Sequence, residues 1–139
     1  MLEKIIDIIF FVSKDTLKIN PPRIYISNFN YSFIINNEIY INIKQEFKYI
    51  LFQALHELRH QYQLFYIKNN TDSKSIKWKK EFNKYSELNY ENLDIEIDAY
   101  KFAYKMIKRL EIKYPLSRKV KEVIKKWKLD NSYLHFYMD

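Results

Sequence analysis

Residues 56–60 read His-Glu-Leu-Arg-His, three residue types that can do chemistry at a spacing that lets them act together. On a helix, residues four apart share a face, so the imidazoles of His56 and His60 can hold one metal ion, while Glu57, about 100° further round the axis, reaches the water or substrate beside it. Imidazole nitrogens at about 2.0 Å and a neighbouring carboxylate that is a base rather than a ligand make half of a zinc hydrolase site. The expected cofactor is Zn²⁺, with His56 and His60 as metal ligands and Glu57 as the catalytic base.

A zinc site needs a third protein ligand, and without any cysteine in the chain it must be His, Asp or Glu. The downstream carboxylates are Glu81, Glu87, Glu91, Asp94, Glu96 and Asp98. On a helix from Asp94 to Leu110, Glu96 falls inside the apolar stripe of Ala99, Ala103 and Ile107, whereas Asp94 and Asp98 fall at its margin or outside it. A carboxylate on a buried face must be neutral, paired or bound to a cation, so Glu96 is the expected third ligand. A salt bridge from Glu96 to Arg59, or a helix-capping role, is the competing explanation, and His135 is the reserve ligand. Hydrolysis also needs a donor for the tetrahedral oxyanion, for which Tyr100, Tyr62 and His135 are the candidates.

These residues need a scaffold. Glu3 to Ser13 carries the stripe of an opening helix, stopped by Pro21-Pro22. Arg23 to Ser27, Tyr31 to Asn36 and Glu38 to Lys44 read as three short strands, with Asn36-Asn37 as a tight turn. In the third strand Ile39, Ile41 and Ile43 alternate with Tyr40, Asn42 and Lys44, so one face is buried. Gln45 to about Lys68 is a long helix, apolar nearly all round, that carries the His-Glu-Leu-Arg-His segment into the core. Further helices are expected over Ile76 to Leu88, Asp94 to Leu110 and Arg118 to Leu129, followed by an aromatic tail. The fold expected is α+β: a small three-stranded antiparallel sheet, about five helices and the metal-binding helix in the core. Because Glu38 to Lys44 leads directly into that helix, it is expected to lie at the rim of the cleft as an edge strand. There Glu38, Tyr40 and Asn42 would receive an extended peptide by strand addition.

Composition narrows the alternatives. The 139 residues, 47% hydrophobic and 18% aromatic, suit a single domain over 1–139 with a real core. The absence of glycine excludes phosphate-cradling loops and nucleophile elbows, and the absence of cysteine excludes thiol catalysis. Glu3 and Asp7 interrupt the apolar N-terminal run, and no stretch is long enough for a membrane span, so a cytoplasmic protein is expected. Charge is uneven: Lys101 to Lys128 holds eleven basic and two acidic residues, while the rest sums to −2. That stretch reads as solvated helix faces, or as a dock for nucleic acid or an acidic protein.

His56-Glu-Leu-Arg-His60, followed by Glu96-Ile-Asp-Ala-Tyr-Lys-Phe-Ala103, resembles the signature of the ImmA/IrrE-like zinc metallopeptidases, within the zincin-like fold. The resemblance covers about Met1 to Leu110. It implies a helix, a small twisted sheet, the metal-binding helix and a following helix that brings the glutamate, which is a gluzincin-like arrangement. It also implies an intracellular endopeptidase acting on a protein substrate such as a repressor or antitoxin. Family members often carry Gly where this chain has Arg59, and the length read as a single domain leaves no accompanying DNA-binding domain expected within these residues. Two rivals stand beside this reading. One is a DNA-associated SprT-like protease, whose third ligand is His. The other is a catalytically silent domain that binds nucleic acid or an acidic partner through its basic C-terminal helices.

Overall fold

A computed structural model of the chain describes residues 2–26, 33–35, 38–41, 47–84 and 93–109. Helix α1, Leu2–Phe11, buries Ile5 and Ile9 one turn apart and leaves Ile6 and Phe10 at the surface. It runs on into a π-helical segment, Val12–Leu17, where the Ser13 hydroxyl donates to the Ile9 carbonyl at 2.7 Å. Lys18 then turns the chain with φ 57°. In a sequence without glycine a lysine takes this left-handed position, at a cost of roughly 1–2 kcal/mol. Val12, Leu17 and Ile19 are buried around the turn.

The three strands are β1 (Arg23–Ile26), β2 (Phe33–Ile35) and β3 (Glu38–Ile41). Their spatial order is β1-β3-β2, with β1 parallel to β3 and β2 antiparallel to it. The described residues are mainly helical, with four α-helices among them. The expectation of a three-stranded antiparallel sheet with about five helices is therefore corrected. Alternation along a strand reports which face is buried and says nothing of strand direction; here β2 returns past the place that β3 then fills.

The same topology corrects the edge strand. From Glu38 to Ile41, β3 pairs with β1 on one side and β2 on the other, so Glu38 and Tyr40 lie on the central strand and offer no free edge to a peptide. The reason is packing: Ile39 and Ile41 are fully buried, and a strand with that inner face belongs in the middle of the sheet. On its outer face Tyr40 stacks on Tyr25 at 5.3 Å and donates to Glu38 at 2.8 Å. Asn42, the Asn36-Asn37 turn, the helix Arg118 to Leu129 and the aromatic tail lie outside the described residues.

Helix α2, Phe47–Asn69, packs against every layer: α1, β2, β3, α3 and α4. Ile50, Leu51, Phe52, Ala54, Leu55 and Leu58 are buried on it, and they share one core with Ile5, Ile9, Ile39, Ile41, Ala103, Tyr104 and Ile107. Each fully buried Leu or Ile contributes about 1.5–3 kcal/mol, which helps offset the cost of taking polar side chains on the same helix out of water. Helix α3, Ser73–Asn83, starts where Asp72 accepts the Ser75 N–H at 2.8 Å, so it begins three residues before the apolar pattern at Ile76 suggested. Helix α4, Asp94–Arg109, lies along α2. Ala99 and Ala103 are fully buried on it. A second, smaller core of Trp78, Leu93 and Ile95 ties α3 to the start of α4.

Candidate metal centre

The start of α4 is fixed from α3. Glu81 accepts the backbone N–H groups of Asp94 at 3.1 Å and Ile95 at 2.9 Å, satisfying two donors that a helix N-terminus leaves open. Trp78 Nε1 donates to Asp94 at 3.0 Å. Glu96, in the first turn of α4, is thereby set in register with the middle of α2.

The two helices bring three buried side chains together. His56, His60 and Glu96 are 3%, 5% and 2% exposed. The two Nε2 atoms lie 3.0 Å apart. Glu96 bridges them, with Oε2 3.0 Å from His56 Nε2 and Oε1 3.0 Å from His60 Nε2. One donor atom from each residue falls within 4.8 Å of the others. In a tetrahedral zinc site with bonds of about 2.0–2.1 Å, neighbouring donors sit about 3.3 Å apart, so these side chains need to move by only a few tenths of an ångström to hold such an ion. The residues present fit a divalent metal.

Protonation at the site follows from burial and mutual charge. Burial pushes His56 well below the usual imidazole range, against the hydrogen bond from Glu96. Burial also opposes charge on His60, but the hydrogen bond and charge of Glu96, with the charge of Glu57, outweigh it and raise His60. Burial pushes Glu96 up, yet the two imidazoles overcome it and hold the carboxyl well below the carboxylate range. Glu96 and His60 thus each favour the charged form of the other, and metal binding at their facing atoms would be coupled to proton release.

Glu57, next to His56, carries no hydrogen bond or ion pair among the described residues, and burial pushes its carboxyl up to about 7. Tyr100, one turn after Glu96, packs its ring 3.9 Å from that of His56 and hydrogen-bonds the Gln53 side chain. Burial raises its hydroxyl further above the ordinary tyrosine value, as do the charges of Glu96 and Glu57. Of the three oxyanion-donor candidates, Tyr100 is the one placed against a ligand. The Tyr62 ring lies under the half-buried Arg59, 4.4 Å from the guanidinium. His135 lies outside the described residues.

Arg59 pairs with Asp98, not with Glu96: Nε and Nη2 donate to the two carboxylate oxygens at 2.8 and 3.1 Å. This leaves Glu96 to the imidazoles. Gln63 is the residue that sequence reasoning passed over. Fully buried, it contacts His60 Nδ1 through Oε1 at 2.7 Å and donates through Nε2 to the Ile95 carbonyl and to Asp98, both at 2.8 Å. Its signal was its place three residues after His60, one helical turn on, which marks any polar residue there as a neighbour of that ring. No protein-family model, curated protein or solved structure matches the chain.

Proposed function

We propose that the chain is a zinc-dependent endopeptidase of the cytoplasm, with His56, His60 and Glu96 holding the metal and Glu57 acting as general base on a protein or peptide substrate. The observation that carries this reading is the convergence of three buried donor atoms, from α2 and α4, beside Glu57, a carboxylate with no hydrogen bond or ion pair among the described residues. Zinc held there supplies Lewis acidity towards a peptide carbonyl and lowers the pKa of a water. Glu57 takes a proton onto its carboxylate and returns it to the leaving amine. Tyr100, whose ring packs 3.9 Å from that of His56, is the candidate donor to the developing oxyanion. The resemblance to the ImmA/IrrE-like peptidases, carried by residues 56–60 and 96–103, points the same way and suggests a regulatory protein as substrate.

The test is cleavage of a denatured-protein or peptide library by wild type and by Glu57→Gln, each with its zinc content measured. Cleavage by the wild type alone, at equal zinc, supports the proposal; no cleavage by either zinc-loaded protein contradicts it.

A second reading, a binding module for an acidic partner, draws on one observation. Lys101, Lys105 and Arg109 recur at one-turn intervals on α4 and, with Thr16, Phe102, Met106 and the paired Arg59 and Asp98, border a cavity of about 360 Å³. Binding of an acidic peptide that survives both Glu57→Gln and metal removal favours this reading; binding lost with the metal counts against it.

A further inference from the structure

Gln63 has one carbonyl oxygen and one NH₂ group, and its surroundings decide which points where. The Ile95 carbonyl and the Asp98 carboxylate are both acceptors, so the group 2.8 Å from each is the NH₂. The carbonyl oxygen must then face His60 Nδ1, 2.7 Å away, and an oxygen without a hydrogen obliges that nitrogen to be the donor. The chain continues outward. Asp98 is gripped at both oxygens by Arg59, and the Arg59 guanidinium lies between the rings of Tyr62 and Phe102, at 4.4 and 4.9 Å from their centroids. Four side chains from two helices thus hold the Gln63 amide in one orientation. His56 has no such support, since its Nδ1 is buried without a hydrogen-bond partner among the described residues.

We propose that Gln63, locked by the Arg59–Asp98 pair, is the positioning residue that keeps the proton of neutral His60 on Nδ1 and so presents its Nε2 lone pair for metal binding. The inference rests on the reading of His56, His60 and Glu96 as a metal site. A free histidine side chain prefers the opposite tautomer, with its proton on Nε2, and must exchange it before ligation; the Gln63 carbonyl removes that step and fixes the ring plane. Arg59 has a structural task here, anchoring Asp98, where the resembling peptidases often carry glycine.

The experiment uses the 139-residue chain with ¹⁵N-labelled histidine and stoichiometric zinc added, and zinc Kd is measured separately for wild type, Gln63→Met and Asp98→Asn. Long-range ¹H–¹⁵N spectra are expected to show His60 protonated on Nδ1 and ligated through Nε2 in the wild type, and a mixture of rings protonated on either nitrogen in Gln63→Met. Zinc Kd should weaken by about 10–100-fold in Gln63→Met and by less in Asp98→Asn. An Nε2–H His60 in the wild type overturns the assignment, as does a wild-type zinc Kd in Gln63→Met. If the variants do not fold, the wild-type tautomer alone decides. Failure of the wild type to bind zinc while His60 shows the Nδ1–H form counts against the metal reading, not against the role of Gln63 in setting the tautomer.

Discussion

At the scale of single residues, what distinguishes Glu57 from Glu96 is partnership. Glu96 has an imidazole at each oxygen and is held ionised, whereas Glu57 has neither and burial raises it to about 7, close to where a general base works best. Glu57→Gln is near-isosteric and cannot accept a proton, so hydrolysis should fall by about 10²-fold to 10⁴-fold while zinc content stays at the wild-type level; a matching loss of zinc would place Glu57 among the ligands instead. The pattern His56-Glu57-x-x-His60 and the inward angle of Glu96 were legible because helical period alone puts those side chains on facing surfaces. Gln63 and Asp98 were not. The role of Gln63 depends on the Ile95 carbonyl and the Asp98 carboxylate to which it donates, and that of Asp98 on the Arg59 guanidinium from which it accepts, and no periodicity reports a partner more than 30 residues away.

At the scale of elements, the site depends on how α4 meets α2. Glu81 on α3 caps the first turn of α4 from outside, so Glu81→Ala should lower stability by about 0.5–2 kcal/mol in denaturant melts and weaken zinc binding, because Glu96 sits in the turn that loses its cap. Unchanged stability and zinc affinity would show that the α4 N-terminus is held by other contacts. Ala103, fully buried where α4 joins the main core, leaves no room for growth. Ala103→Leu should cost about 1–3 kcal/mol and, by forcing the helices apart, weaken zinc binding as well; a stable variant with intact affinity would mean the interface is loosely packed. The long helices were readable from their apolar period. The sheet was not: the buried faces of Ile39 and Ile41 follow from alternation, but the parallel pairing of β1 with β3, and hence the central place of β3, depends on a chain path that alternation does not encode. The early start of α3 was hidden for a related reason, since Asp72 caps it ahead of any apolar residue.

At the scale of the whole molecule, no helix among the described residues is long and apolar enough to cross a membrane, and α2 runs through a core built from α1, β3 and α4. That core does not depend on a metal, so the zinc-free chain should remain folded and cooperative. Zinc at about 100 times its Kd should add about 2.7 kcal/mol and raise Tm by about 10 °C, reversed by chelator; a zinc-independent Tm would mean the ion does not bind the native site. The claim on which the rest stands is that His56, His60 and Glu96 form one metal site, and elemental analysis of protein purified without chelator, then dialysed against limiting zinc, tests it most directly. One zinc per chain is expected in the wild type and in Glu57→Gln, and close to none in His56→Ala, His60→Ala and Glu96→Ala. Wild-type protein without stoichiometric metal, or equal zinc in all five proteins, would contradict it.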